Sequence, residues 1–479
     1  MIAVVALVAA LAAAQDTATA RLATPGADST AVLDFASFYR QVAERHPVAR
    51  QAELLEERAR AEVMAARAPL VDPVVGATWE RKAFEASEYY NYLEAGLKVP
   101  TPVGIDFKLG YEKTRGAYFN PDRRTPDDGL WVAGVTIPVG QGLVTDRRRN
   151  ALAQAQGLRD VAAADRQAQV NKLLYAAAKD YAAWYEAWRR RGVAREGVQL
   201  ADTRYRWVQR RFEDGDAAAI DTVEAGLELQ RRLVTMLEAD NDWYVSTQVL
   251  NTYLWDERAV PYDLAPGVVP TIGGLAPAAL DTATVDGWLA RALERHPDLL
   301  KALAKQRVAD ADRRLYRQEL LPDLTLEASL LKDARTSPFE DWPDAGDNYK
   351  FGAAGQSSLL LMKERGSLGA ANAKLESATL ETAVTRRDIR AAVLGSASEV
   401  LTYQRILGAQ TAAVLAARTL RDGEVRRFEE GESTLFLVNQ RDRLLLDEAV
   451  KLAAFEAKYV GARAALAVAL GVPSIDALR

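Results

Sequence analysis

The chain has 479 residues, of which 49% are hydrophobic and 27% charged, so it is not a largely disordered protein. It contains no cysteine, which excludes disulfides, thiol catalysis, Cys-based zinc sites and a lipid attached to cysteine. The formal net charge of −5 argues against a nucleic-acid partner. The only two histidines, His46 and His296, are far apart in sequence, so we expect no multi-histidine metal centre and no cofactor.

Residues 1–14, MIAVVALVAALAAA, are an uncharged apolar run that ends in small residues. This pattern is typical of the apolar core of a secretory signal peptide, although no Lys or Arg precedes it, and its true start stays open. The run is shorter than the roughly 20 residues that a membrane-spanning helix needs, and no later run matches its length. We therefore expect an exported protein without a transmembrane helix, in which residues 15–34 form an N-terminal extension.

Two sequence landmarks recur in the same order along the chain. Glu-Arg-His-Pro at 44–47 recurs at 294–297, and Arg-Phe-Glu-Asp-Gly at 211–215 recurs as Arg-Phe-Glu-Glu-Gly at 427–431. This indicates two tandem copies of one architecture, joined by a linker rich in Pro and Gly. The predicted division is a first repeat 35–258 (helix 35–70, strands 74–139, helical hairpin 143–256), the linker 259–284, a second repeat 285–472 (helix 285–320, strands 323–361, helical hairpin 366–470) and a C-terminal tail 473–479.

The segments between the helices alternate between apolar and polar residues, which predicts strands with one apolar face. Tyr and Trp residues crowd the strand ends, as in the aromatic girdles of membrane β-barrels. A soluble sheet with one wet face is the alternative for any single strand. Six apolar positions are the candidates for contact with lipid: Ile105, Phe107, Leu109 and Tyr111 in the first repeat, and Leu324 and Leu326 in the second.

The strand region is longer in the first repeat than in the second. From Pro73 to Arg148 the chain advances by 75 positions, whereas from Pro322 to Arg365 it advances by 43. The difference of about 32 residues is enough for one more hairpin of two strands of about ten residues. We therefore expect six strands per chain, and four strands with a longer loop remain the alternative.

The rest of the sequence predicts long helices. No proline occurs from 144 to 211, and Leu174, Ala178, Tyr181 and Tyr185 follow the spacing of a coiled-coil seam. A helix of about 68 residues is roughly 100 Å long. Gly215 and Gly431 suit the C-terminal cap at which each long helix reverses into a shorter one.

The order and spacing of these features, twice over, resemble the TolC family of outer membrane efflux proteins. The matching features are His46-Pro47 and His296-Pro297, the strand entries at Pro73 and Pro322, the basic crossing Asp146-Arg147-Arg148-Arg149, and the turns at Gly215 and Gly431. The second crossing, residues 361–366, departs from the family pattern. The resemblance implies a mixed α/β membrane protein: a trimeric outer-membrane β-barrel continued by a long periplasmic α-helical barrel, built from two tandem repeats.

The resemblance also implies the function and the partners. The protein would be a passive conduit from the periplasm to the exterior in a tripartite efflux or type I secretion system. Its partners would be two further copies, a periplasmic adaptor, an inner-membrane pump of RND or ABC type, and outer membrane lipid. The transported substrate and the class of pump stay open.

The helix turns are the sites that the resemblance assigns to the adaptor. They would lie at the periplasmic tip, far from the strands, where the tunnel must also close. The adaptor-docking candidates are Arg211, Phe212, Gly215, Arg427, Phe428 and Gly431. The candidates for inter-chain ion pairs that hold the aperture shut are Arg210, Glu213, Asp214, Arg426, Glu429 and Glu430.

Two other functional classes compete with a channel. An enzyme would need a phosphate loop, a nucleophile with its base, or a metal-ligand spacing, and the acidic pairs at the helix turns come with none of these, so we expect no catalytic residue. A periplasmic coiled-coil scaffold would keep the helices but use the strands as a soluble sheet.

Overall fold

The computed structural model describes residues 31–273, 282–343 and 346–473. The predicted signal peptide, residues 15–30 of the extension and residues 474–479 of the tail lie outside the described residues. The element order is two helices, a group of strands, a very long helix and a shorter helix, and this order occurs twice.

The bounds of the elements are as follows. In the first half they are β1 (Val32–Asp34), α1 (Phe35–Arg45), α2 (Pro47–Val71), β2 (Val74–Phe84), β3 (Ser87–Pro100), β4 (Asp106–Arg115), β5 (Leu130–Pro138), α3 (Arg147–Glu213) and α4 (Ala219–Asn251). In the second they are β6 (Val269–Thr271), α5 (Thr282–Arg295), α6 (Pro297–Gln318), β7 (Asp323–Asp333), β8 (Tyr349–Gln356), α7 (Met362–Glu429) and α8 (Leu435–Ala469).

The His-Pro steps divide each of the predicted helices, 35–70 and 285–320, into two helices. Proline has no N–H and disfavours helical backbone in the residue before it, so a new helix begins at Pro47 and at Pro297. His46 and His296 cap these helices: each Nδ1 accepts a backbone N–H, from Val48 and Asp298 respectively, at 3.2 Å. Both histidines therefore have a structural role.

Six strands form one antiparallel sheet in the order β2-β3-β4-β5-β7-β8, which confirms the predicted strand number. Four strands come from the first half of the chain and two from the second. The last strand is shorter than the predicted range 323–361 allows, since β8 ends at Gln356. Leu361 has a positive φ of 49°, which ends the extended backbone, and α7 begins at Met362 rather than at 366.

The main core lies where helices of both halves meet. It joins Phe38 of α1, Tyr181 of α3, Val393 of α7 and Val460 of α8, each with a fully buried side chain. The Tyr181 hydroxyl lies 2.6 Å from the carbonyl oxygen of Leu33 and 2.8 Å from that of Thr271, and it accepts the Thr271 N–H at 3.1 Å. This hydroxyl therefore fixes the small parallel sheet of β1 and β6 to the longest helix of the first half.

Replacing Tyr181 with Phe should lower the free energy of unfolding by about 1–3 kcal/mol, because partly buried backbone groups at Leu33 and Thr271 lose their hydrogen-bond partner. The change is measured as the melting temperature of the helical circular dichroism signal. Tyr118→Phe is the matched control, since the Tyr118 side chain is exposed. Equal melting temperatures for the two variants would contradict this role of the hydroxyl.

Candidate functional site: an uncovered sheet and a distant helical tip

One face of the six-stranded sheet is predominantly apolar from edge to edge, and Lys113 and Lys332 lie on it only near one end of the strands. Side chains directly opposite each other in a sheet point to the same face, and Leu109 lies opposite Leu97 on one side and Ala133 on the other. The same register continues to both edge strands. The apolar face consists of Val75, Ala77, Trp79, Leu93, Ala95, Leu97, Val99, Phe107, Leu109, Tyr111, Trp131, Ala133, Val135, Ile137, Leu324, Leu326, Ala328, Leu330, Tyr349, Phe351 and Ala353.

The structure leaves large side chains of this face uncovered. Val75 is 79% exposed, Trp79 65% and Phe351 63%, and contacts between helices and the described sheet are confined to a few residues. Contiguous apolar surface of this extent marks an interaction site rather than an ordinary wet face. Five of the six lipid-contact candidates lie on this face, whereas Ile105 lies in the turn just before β4.

The opposite face carries charged groups of both signs. Lys108 Nζ lies 3.0 Å from Glu327 Oε1, across Gly134 of β5, which has no side chain to separate them. Lys98 Nζ lies 2.9 Å from Asp106 Oδ2. This face is suited to water, so the sheet separates an apolar from an aqueous side.

Both outer strands of the sheet have a free edge. Among the described residues, β2 pairs only with β3 and β8 pairs only with β7. The unpaired N–H and C=O groups of an edge strand are a template for pairing with another chain. In a bilayer such an edge is not tolerated, because the hydrocarbon cannot hydrogen-bond to it.

The basic crossing fixes the long helix α3 to the end of the sheet. The Asp146 side chain caps α3 by accepting the Arg149 N–H at 2.7 Å. Arg148 Nη1 donates to Asp106 Oδ1 at 3.0 Å, and Arg149 donates to the carbonyl groups of Gly142, Leu143 and Val144. Charged hydrogen bonds thus satisfy the backbone where the strand ends and the helix begins.

The two helix turns lie side by side at the other end of the long helices. Gly215 and Gly431 have φ values of +82° and +81°, a backbone that favours glycine, and nothing lies within 4 Å of the place of a side chain. The two paired phenylalanines differ: the Phe428 ring packs at 5.0 Å on Trp207, whereas Phe212 is 46% exposed. Phe428 thus supports the contact between the two hairpins, and Phe212 remains available to a partner.

The ion pairs seen near this end within one chain involve other residues than the predicted inter-chain pairs. Within the described part of one chain, none of the six aperture candidates takes part in an ion pair; Arg210 Nε, for example, donates to the backbone carbonyl of Arg206. Instead, Arg204 lies 2.5 Å from Asp442, and Glu228 lies 2.7 Å from Arg443. These pairs join the two hairpins, and sequence analysis missed them because their members are more than 200 residues apart.

Glu228 is one of the two enclosed carboxylates of this group, and it is 9% exposed. Burial opposes its ionisation, but hydrogen bonds and charges of Arg443 and Arg232 outweigh burial and hold the pKa of Glu228 below its usual value. The carboxylate is therefore charged at neutral pH and ties α4 to α8.

The described residues contain no group of three or more His, Asp or Glu side chains that could hold a metal ion. None of the described helices combines the length and the apolar character needed to cross a membrane.

Comparison with known proteins identifies the fold. Residues 288–472 match the family model described as outer membrane efflux protein, whereas no curated protein matches the sequence. Among solved structures, the chain is similar to the outer membrane protein VceC from Vibrio cholerae, with a TM-score of 0.63 and 15% identity over 91% of this chain and 96% of VceC. It is also similar to the CmeC outer membrane channel of Campylobacter jejuni, with a TM-score of 0.64 and 12% identity over 94% of each chain.

A third solved structure, the open state of the Neisseria gonorrhoeae MtrE outer membrane channel, gives a TM-score of 0.64 and 15% identity over 91% of this chain and 88% of MtrE. The fold is therefore that of outer membrane channels. The predicted resemblance to the TolC family is confirmed, since the second half of the chain matches the family model of outer membrane efflux proteins and the whole fold matches solved channels.

Replacing Leu109 or Leu326 with Arg should sharply reduce the amount of assembled protein in the outer membrane fraction. A charged side chain on a lipid-facing strand costs about 2–4 kcal/mol near the midplane of the bilayer. Glu112→Arg is the matched control, because Glu112 lies on the polar face of the same strand. Normal yields of both leucine variants would contradict contact of the apolar face with lipid.

Replacing Glu228 with Gln should lower the melting temperature at pH 7, by a loss of about 1–3 kcal/mol of unfolding free energy. A carboxylate with a lowered pKa contributes stability that is present above its unfolded value near 4.5 and is lost as the pH falls through the folded value. The gap between wild type and variant should therefore shrink as the pH falls below 4.5. Glu224→Gln, at an exposed position of the same helix, is the control, and a gap independent of pH would contradict the ionic tie.

Proposed function

We propose that the protein is the outer membrane channel of a tripartite efflux or type I secretion system, and that it conducts solutes passively from the periplasm to the exterior. The observation that carries this proposal is the six-stranded sheet, which has one continuous apolar face, an opposite charged face and two free edges. In a membrane β-barrel, lipid contacts the apolar face of such a sheet, water contacts its charged face, and further strands pair with its edges.

The active form is a homotrimer in the outer membrane. Six strands cannot close a barrel around a water-filled path, whereas 18 strands leave an aqueous channel. Lys98, Asp106, Lys108 and Glu327 would then line the lumen. Because they carry both signs of charge, the lumen imposes no strong preference for cations or anions.

The helices continue the tunnel into the periplasm. The 67 residues of α3 extend about 100 Å away from the membrane, so the turns at Gly215 and Gly431 lie at the far end. A periplasmic adaptor docks at this tip, where Arg211, Phe212 and Arg427 are exposed or half-exposed, and an inner-membrane pump supplies the energy. The aperture candidates are free within one chain to form ion pairs between chains, each worth at most about 1 kcal/mol.

A periplasmic coiled-coil scaffold is the second candidate. It accounts for the helices, but it leaves the apolar face and both free edges of the sheet in water. Reconstitution of the purified protein in planar bilayers separates the two functions. A channel gives stable conductance steps and needs detergent for extraction from membranes, whereas extraction by salt alone and the absence of conductance would contradict the proposal.

Replacing Gly431 with Val should impair export in cells that carry the cognate pump, while conductance in bilayers persists. The positive φ strains a β-branched residue by about 1–2 kcal/mol and distorts the docking turn far from the barrel. Gly431→Asn is the matched control, because asparagine tolerates this backbone. Export by the Val variant at the level of the Asn variant would contradict adaptor docking at this turn.

A further inference from the structure

We infer that the free edge of β8 pairs with the free edge of β2 in a second copy of this chain, with Lys350 opposite Glu80 and Phe351 opposite Trp79 of the second copy. This register rests on the proposed channel function, and it specifies the partner surface that closes the barrel. It follows from the junction at which the two halves of one chain already meet, between β5 and β7.

The strands at the two junctions correspond to each other. β2 and β7 both have 11 residues and both follow a proline, Pro73 and Pro322. β5 and β8 both lead into a long helix, α3 and α7. The helical hairpins correspond at an offset of 216 positions, which relates the helix caps Ala218 and Thr434. The hairpin β3–β4 is therefore the addition to the first half.

The known register inside the chain can be transferred to the junction between chains. In the chain, Ile137 of β5 lies opposite Leu326 of β7, and Gly134 lies opposite Ser329. Moving β5 forward by 216 positions, the offset of the helical hairpins, and β7 back by 249, the offset of the two prolines, places Ala353 opposite Ala77 and Lys350 opposite Glu80. Aligning the strand ends Pro138 and Gln356 instead, an offset of 218, would place Lys350 opposite Lys82. Ala353 and Ala77 both lie on the apolar face, so the transferred register keeps the two faces of the sheet continuous.

Charge and side-chain size favour this register over its neighbours. It places the Lys350 ammonium opposite the Glu80 carboxylate on the polar face, and two aromatic rings, Phe351 and Trp79, opposite each other on the lipid side. A shift by two residues in one direction places Lys350 opposite Lys82, which is repulsive. A shift in the other direction places it opposite Thr78 and loses the ion pair.

The helices support the same docking independently. One face of α4 is apolar and exposed at heptad spacing: Ile220, Val223, Leu227, Val234 and Leu237 are all more than half exposed. Inside the chain, α3 packs on α8, with Arg204 donating to Asn439 at 2.8 Å. The corresponding positions, 216 residues away in each helix, are Leu420 of α7 and Val223 of α4, which are both exposed. An apolar contact between copies thus replaces a polar contact within one.

The two surfaces are different, so each copy offers β8 and α7 to one neighbour and β2 and α4 to the other. A head-to-tail contact of this kind closes into a ring when its rotation permits. The second copy is the occupant that the structure favours, because the strand edge and the helical seam would be satisfied by one and the same partner.

The absence of native cysteines makes disulfide cross-linking a direct test. Within the chain, Val139 N–H donates to Leu324 O, and the alternation of antiparallel pairs then makes Gly134 and Ser329 a closely spaced, non-hydrogen-bonded pair. In the transferred register, Lys350 and Glu80 correspond to Gly134 and Ser329, so they too form a closely spaced, non-hydrogen-bonded pair. Oxidation of membranes that contain the double variant Lys350→Cys/Glu80→Cys should therefore give covalent dimers and trimers that reductant dissolves, whereas either single variant should not.

Three comparisons make the outcome decisive. Thr136→Cys/Glu327→Cys, a pair of the same type within one chain, verifies that oxidation is complete. Lys350→Cys combined with Thr78→Cys or with Lys82→Cys tests the shifted registers. Cross-linking of a shifted pair at the level of Lys350/Glu80, or none at Lys350/Glu80 while the intrachain pair oxidises, would overturn the register.

A measurement of conductance on the same reduced variants separates this inference from the proposed function. Normal conductance combined with a wrong cross-linking pattern would overturn the register but not the proposed channel function.

A second test reverses the charges: Lys350→Glu and Glu80→Lys should each lower the temperature at which the detergent-extracted oligomer dissociates, and the double reversal should restore it. Failure of the double reversal to recover any of that loss would contradict the ion pair.

Discussion

A strand that enters a bilayer must pair every backbone N–H and C=O group within protein, and this constraint determines how the rest of the molecule is built. Within the described residues, one chain contributes six strands to the large sheet, and β2 and β8 are each unpaired on one side. The chain is therefore an incomplete unit. In the proposed channel, further copies would pair with those edges, and the polar sheet faces and long helices of all copies would then surround one tunnel.

The two ends of the chain obey different physical rules. At the sheet, the apolar face would gain free energy from lipid in the proposed channel, and the crossing at Asp146–Arg149 satisfies the backbone where the strand ends and the helix begins. At the tip, about 100 Å away, the hairpins are held together in water by ion pairs such as Arg204–Asp442 and Glu228–Arg443. The carboxylates of both pairs are enclosed, so breaking either pair would leave a buried charge without a partner, and the pairs hold the two hairpins firmly to each other.

The sequence predicted those features whose cause is local. The alternation of apolar and polar residues predicted the strands, and the longer strand region of the first repeat predicted the additional hairpin. Gly215 and Gly431 indicated the turns, because few other residues adopt a positive φ. Contacts between distant parts of the chain could not be predicted, such as Tyr181 with Thr271, or the pairing of Glu228 with Arg443. Corresponding positions of the two repeats do not always have the same contacts. Phe212 and Phe428 correspond in sequence, but the Phe428 ring packs on Trp207 whereas Phe212 is 46% exposed.

Cysteine scanning along β4 tests most directly whether one face of the sheet contacts lipid and the other contacts water. Single cysteines at Phe107, Lys108, Leu109, Gly110, Tyr111 and Glu112 would be treated in native membranes with a membrane-impermeant, water-soluble thiol reagent. A membrane barrel predicts labelling with a period of two: modification at Lys108, Gly110 and Glu112, and protection at Phe107, Leu109 and Tyr111. Equal labelling at all six positions would contradict a membrane barrel and would favour a soluble sheet.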